Sequence, residues 1–129
     1  MNLNFLVSAV VAIVLHELSH VLMASALRVK VKRIGWSWRG PFVVRDCGTS
    51  VQNLAISLAG PLANLLTAAA CLFLGHNVDL CLSSMVLGAF NLLPLPSSDG
   101  LRAMRLLWRM GTTSSSQAVV NEALGITTV

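Results

Sequence analysis

Three long apolar stretches, separated by polar or basic connections, dominate the pattern of hydrophobic and polar positions along the chain. They cover residues of about 3–27, 52–74 and 80–110. A helix needs about 20 apolar residues to cross the hydrocarbon core of a bilayer. Pro94 and Pro96 cannot both lie in a regular helix. The pattern therefore predicts an α-helical membrane protein with three transmembrane helices, the third broken near Pro94–Asp99.

A different period marks the segment of about 29–45, between the first two stretches. Valine, isoleucine and tryptophan nearly alternate there with basic and polar residues, which is a strand signal. We predict a membrane-associated β-hairpin, with Gly40-Pro41 as the turn and residues 42–44 as the return strand. The alternative is an interfacial loop whose tryptophans lie at headgroup level. An exposed strand edge could bind an extended substrate segment by strand addition.

Composition and charge support a membrane location. Of the 129 residues, 55% are hydrophobic and 11% are charged, whereas soluble domains carry about 25% charged residues. All nine lysines and arginines fall within residues 28–45 and 102–109. The positive-inside rule then predicts an N-terminus outside the plasma membrane and a cytoplasmic C-terminus. Because topology and contact with anionic headgroups account for the positive charge, no nucleic-acid partner is expected.

The remaining segments are predicted from their composition. Residues 112–129 are rich in serine and threonine at first, and we expect a partly disordered cytoplasmic tail after a core of residues 1–111. The first stretch lacks a basic leader region, so we expect it to stay in the mature chain. Three cysteines without a C-x-x-C pair are interpreted as packing residues.

Candidate chemistry lies in the first apolar stretch, where His16, Glu17 and His20 form H-E-x-x-H. Ionisable residues at membrane depth are costly and require a compensating partner. On a helix, the two histidines share a face and can bind one Zn²⁺, while the glutamate can act as general base toward a metal-activated water. The alternative is a polar cluster that only bridges helices.

A catalytic zinc usually has three protein ligands, so a third must come from elsewhere in the chain. The ionisable candidates are His76, Asp79, Asp46, Asp99 and Glu122. His20 lies about 12 Å from the basic end of its helix, which favours a ligand at a similar depth. Asp99 follows the predicted helix break and has a plausible depth, whereas His76 and Asp79 belong to the opposite, outer turn.

Three ordered motifs in residues 3–110 resemble those of the site-2 protease family of intramembrane zinc metalloproteases. They are HELSH at 16–20, AGPLAN at 59–64 and NLLPLPSSDG at 91–100. The resemblance implies a β-hairpin after the first span, zinc ligation by His16, His20 and Asp99, and water activation by Glu17. It also implies that Asn91 and Asn64 bind substrate or stabilise the oxyanion, or, for Asn64, that it shapes the site.

Two features depart from the family pattern. Members commonly have Pro-Leu-Asp-Gly-Gly around the aspartate, where this chain has Ser97-Ser98-Asp99-Gly100-Leu101. The chain also contains no PDZ or CBS domain, so we expect a minimal core.

Together these features predict an intramembrane zinc endopeptidase with one Zn²⁺, which cleaves transmembrane segments near the cytoplasmic face. Its expected partners are a transmembrane protein substrate, the lipid bilayer, and a second copy of the chain or a regulatory membrane protein. One rival is a non-proteolytic metal-binding interaction subunit, a pseudoprotease. The other is a metal transporter, which the lack of acidic, basic and histidine residues in the second stretch disfavours.

Overall fold

The computed structural model describes residues 3–37, 40–46, 48–75 and 77–123, and these residues form four helices and one pair of strands. In chain order the elements are α1 (Leu3–Ala26), β1 (Val31–Ser37), β2 (Gly40–Arg45), α2 (Ser50–Leu74), α3 (Val78–Leu92) and α4 (Asp99–Ala123). The fold is therefore mostly helical, as the sequence predicts.

Two of the described helices are long and apolar enough to cross a membrane. They are α1, with 24 residues, and α2, with 25, which correspond to about 36–38 Å of helix. The apolar helix α3 has 15 residues, or about 22 Å, and is shorter than a hydrocarbon core of about 30 Å. The third predicted transmembrane span is thus not confirmed. Helix α4, which follows α3, carries arginines and polar residues.

The predicted helix break lies between Leu92 and Asp99 and is organised by Ser98. Its hydroxyl donates to the Leu93 carbonyl at 2.6 Å and accepts from the backbone N–H groups of Leu95 and Leu101, each at 3.1 Å. Serine at this position caps a helix start. A Cβ on Gly100 would overlap the backbone of Leu92, so the glycine lets α4 begin against the end of α3.

The C-terminal part of α4 differs from the predicted tail. The helix continues past residue 110 and through Ala123, so no helix end separates the predicted core from residues 112–123. Residues 124–129 lie outside the described part of the chain.

The two strands are antiparallel, but Gly40-Pro41 is not the turn between them. Ser37 pairs with Gly40 and Trp36 pairs with Pro41, so Gly40-Pro41 belongs to β2 and the predicted turn position is wrong. Both strands of a two-stranded sheet are edges, where proline is tolerated. Residues 38 and 39, which join the strands, lie outside the described residues.

The packing reverses the usual distribution of apolar residues. The buried positions on α1 are small or polar: Ser8, Ala12, His16, His20 and Ala24. Large apolar side chains such as Val14 and Leu22 are exposed instead. Helices in lipid pack through small residues and keep ionisable groups inside the bundle. This pattern is that of helices whose outer faces contact lipid.

One end of the bundle, where α1 ends and α2 begins, adjoins the basic segment 28–45. We call it the basic end. There the Gln52 side chain donates to the Leu27 carbonyl at 3.1 Å, and Ala24, Val29 and Ile56 form a small apolar core. Helix α4 begins with Asp99 beside the histidines, and its Arg102, Arg105 and Arg109 line a cavity with Asn53 in the first turn of α2, so α4 runs from the break toward this same end.

Candidate metal centre

Three ligand-type side chains converge inside the helix bundle. The Oδ2 atom of Asp99 lies 3.1 Å from the Nε2 atom of His16 and 3.2 Å from the Nε2 atom of His20. The two Nε2 atoms are 3.2 Å apart. All three residues are buried. The structure therefore brings together the three residues that the sequence predicts as zinc ligands.

The fold explains why these residues meet although Asp99 is about 80 positions from the histidines. His16 and His20 are four residues apart on the buried face of α1, so their rings lie on one side. Asp99 is the first residue of α4, and the break at residues 93–98 turns its side chain toward α1. The helix break thus places the Asp99 carboxylate beside the histidine pair.

The second ring nitrogen of His20 is held by the backbone of α2. Nδ1 lies 2.6 Å from the Ile56 carbonyl oxygen. Because a carbonyl only accepts hydrogen bonds, Nδ1 carries the proton and donates it. In the neutral ring this leaves a lone pair on Nε2, the atom that faces Asp99. Sequence reasoning missed this contact, because a backbone carbonyl leaves no signal in residue type.

The AGPLAN motif forms the wall of the centre that α2 contributes. A Cβ on Gly60 would overlap His20 Nε2 and would lie 2.8 Å from His16 Nε2. Only glycine leaves room for both rings at this point. Asn64 is fully buried, and its amide nitrogen lies 3.2 Å from His16 Nδ1. Asn64 thus sits on the side of the ring opposite Asp99. Its predicted role, in shaping the site or in binding substrate, stays a prediction.

Glu17 lies beside the triangle on the next position of α1. It is half-buried and interacts electrostatically with His16, His20, Asp99 and Arg102. The Oδ1 atom of Asp99, which the histidines do not contact, is 3.6 Å from a guanidinium nitrogen of the exposed Arg102.

The other candidate residues are not among the three converging side chains. Asn91 is half-buried, and its side chain donates to the Leu87 carbonyl of its own helix at 3.1 Å. Asp46 forms an ion pair with Lys32, and Asp79 lies in the first turn of α3. His76 and the side chain of Glu122 lie outside the described part of the structure.

The geometry of the donor atoms fits a tetrahedral zinc ion. With Zn–N and Zn–O bonds of about 2.0–2.1 Å, neighbouring ligand atoms of a tetrahedron are about 3.3 Å apart. The three separations of 3.1, 3.2 and 3.2 Å are close to this value. Two imidazoles and one carboxylate form a ligand set that leaves a fourth position for water, as catalytic zinc requires.

Comparison with known proteins identifies the family. The chain is 31% identical over 108 residues to a zinc metalloprotease of Methanocaldococcus jannaschii, over 75% of this chain and 32% of that protein. The solved site-2 protease of the same organism superposes with a TM-score of 0.70 and 25% identity, over 94% of this chain and 63% of that one. The chain belongs to the site-2 protease family. No family model matches it.

This identification confirms the family that the three motifs indicate. The chain spans about a third of the curated relative and under two thirds of the solved site-2 protease.

Proposed function

We propose that the chain is an intramembrane zinc endopeptidase that cleaves transmembrane segments near the cytoplasmic face of the plasma membrane. The observation that carries this proposal is the triangle of His16, His20 and Asp99, with Glu17 beside it, on a helix apolar enough to cross a bilayer. A structural metal site would not need a carboxylate that is not a ligand, whereas hydrolysis needs a general base.

The membrane setting of the proposal rests on packing and charge. Large apolar side chains cover the outside of α1 and α2, and the ionisable groups lie inside. The basic end of the bundle adjoins residues 28–45, and α4 brings Arg102 to Arg109 to the same end. The positive-inside rule then assigns this end to the cytoplasm. The metal centre lies on the half of α1 nearer to that end, so cleavage is expected near the cytoplasmic face.

The proposed chemistry assigns one role to each group. A zinc ion held by His16, His20 and Asp99 would activate water and polarise the scissile carbonyl. Glu17 accepts the proton of the attacking water and returns it to the leaving amine. Asn91 is proposed to donate a hydrogen bond to the oxyanion that develops at the carbonyl.

We assign Asn64 to positioning His16. Its amide oxygen is buried without a hydrogen-bond partner in the described structure, while its nitrogen faces His16 Nδ1. A half-turn of the amide brings the oxygen to accept from Nδ1–H, which leaves the Nε2 lone pair for the metal. Such contacts fix the tautomer of metal-ligating histidines. Asn64 would thus accept a hydrogen bond from Nδ1 of His16, as the Ile56 carbonyl accepts one from Nδ1 of His20.

The substrate must be locally extended, since a helix hides its carbonyls in internal hydrogen bonds. Both strands of the β1–β2 pair are edges, and an edge can bind an extended segment through backbone hydrogen bonds. We therefore expect helix-breaking residues near the cleavage point of a transmembrane substrate.

The test is cleavage of a reporter transmembrane protein by the purified chain in liposomes. We expect Glu17→Gln to retain zinc and to lower the cleavage rate by about 10²–10⁴-fold, the usual contribution of a general base. Asp79→Asn, at the first turn of α3, is the matched control and should cleave like the wild type. A wild-type protein that binds zinc but cleaves no better than Glu17→Gln would favour the non-proteolytic subunit.

A further inference from the structure

A polar cavity lies between α2 and α4, next to the metal centre but separate from it. It has a volume of about 320 Å³. Its lining consists of Asn53, Ser57, Arg102, Arg105, Leu106 and Arg109. The three arginines are spaced three and four residues apart, so they share one face of α4.

The lining makes this cavity a strong attractor of anions. None of its six residues is acidic. The Asp99 carboxylate faces the histidine pair with Oδ2 and lies 3.6 Å from Arg102 with Oδ1, so the positive charge of the cavity comes mainly from Arg105 and Arg109. Asn53 lies in the first turn of α2, where the helix dipole adds positive potential. Guanidinium groups match the geometry of phosphate oxygens and bind them with paired hydrogen bonds.

We propose that this cavity binds the headgroup phosphate of an anionic phospholipid. Asn53 lies about 5 Å from the start of α2 along its axis, so the cavity lies at the basic end, where the proposed topology places lipid headgroups. This proposal concerns a second site and does not depend on proteolysis.

The surfaces beside the cavity favour a lipid over a soluble anion or an acidic peptide. Met104, Leu107 and Trp108 are exposed on α4 by 47%, 55% and 73%. Val51, which precedes Asn53 on α2, is 62% exposed. A helix that combines an arginine face with such an apolar face is typical of the membrane interface. Acyl chains would cover these apolar side chains while the phosphate occupies the cavity.

The experiment measures the lipid that stays bound after the protein is released from nanodiscs. Nanodiscs of phosphatidylcholine with phosphatidylglycerol are extracted with mild detergent, and bound lipid is identified by native mass spectrometry. We expect the wild type to retain phosphatidylglycerol in preference to phosphatidylcholine. Removal of two basic contacts in Arg105→Gln/Arg109→Gln should lower this retention by about tenfold or more.

The control variant removes the same charge elsewhere. Lys30, just before β1, and Arg33, within β1, are exposed. Lys30→Gln/Arg33→Gln should retain phosphatidylglycerol within about threefold of the wild type. Arg105→Lys/Arg109→Lys keeps the charge but loses the paired geometry, and should give intermediate retention. Thermal unfolding of each variant shows that it is folded.

Competition separates the sources of the anion. Inorganic phosphate should displace the retained lipid, and a polyglutamate peptide should not. Equal retention of the two lipids, equal loss in the Lys30 and Arg33 control, or displacement by polyglutamate but not by phosphate would each overturn the proposal.

Discussion

The contact between Asn64 and His16 predicts how strongly a residue that does not ligate the metal controls its binding. Asn64→Leu keeps a side chain of similar size and removes both polar atoms. The ring nitrogen of His16 then loses the partner that lies 3.2 Å away. Because Asn64 is completely buried, water does not replace it.

The magnitude follows from two independent estimates. An unsatisfied donor at a buried position costs about 1–3 kcal/mol. Loss of a hydrogen bond to a metal-ligating histidine typically weakens metal binding by about 10–100-fold, which corresponds to about 1.4–2.7 kcal/mol. We therefore expect Asn64→Leu to raise the dissociation constant for zinc by about 10–100-fold.

The assay is zinc binding by competition with a chelator of known affinity, using purified protein in detergent. Asn64→Asp keeps an acceptor oxygen and should bind zinc within about threefold of the wild type. Asn91→Leu is the matched control, because the Asn91 side chain bonds to its own helix, and it should leave zinc affinity unchanged. If Asn64→Leu binds zinc as tightly as the wild type, Asn64 does not orient His16. If Asn64→Asp is as weak as Asn64→Leu, an acceptor is not what His16 requires.

Two further predictions concern backbone features of the site. Gly60→Ala should abolish tight zinc binding, because its Cβ would overlap His20 Nε2. Gly111→Ala is the control, since a Cβ added there meets nothing within 4 Å. Zinc affinity of both variants is measured by chelator competition, and tight binding by Gly60→Ala would contradict the close approach of α2 to the histidines. Ser98→Ala should lower the free energy of unfolding by about 1 kcal/mol, because the cap of α4 is lost. Thr113→Ala, at an exposed position of α4, is the control and should change the free energy of unfolding by less than about 0.5 kcal/mol. Denaturant unfolding measures both, and equal effects would argue against the cap.

The ligand set could be predicted because it depends on spacing and depth. The i, i+4 spacing of His16 and His20 fixes a shared helix face, and the prolines before Asp99 fix a break. Depth then favours Asp99 over His76 and Asp79, which belong to the opposite turn. The resemblance to the site-2 protease family selects Asp99 over the remaining candidates Asp46 and Glu122.

Other features could not be predicted because they depend on tertiary contacts. Gly60 reads as an ordinary helix-packing residue until α1 is placed against it, and the Ile56 carbonyl has no side-chain signature. The predicted position of the strand connection is wrong. Gly-Pro is a strong turn signal, but Gly40 and Pro41 are both paired with β1 and belong to β2. Ser98 could have been found, since a serine before the first helical residue is a known cap.

The central claim is that His16, His20 and Asp99 hold one zinc ion. The most direct test is the zinc content of the purified protein, measured by elemental mass spectrometry. We predict about one zinc per chain in the wild type and in Asp46→Ala, which removes a carboxylate paired with Lys32 instead. Asp99→Ala should retain far less under the same chelator wash. An Asp99→Ala protein that keeps one zinc per chain would contradict the account.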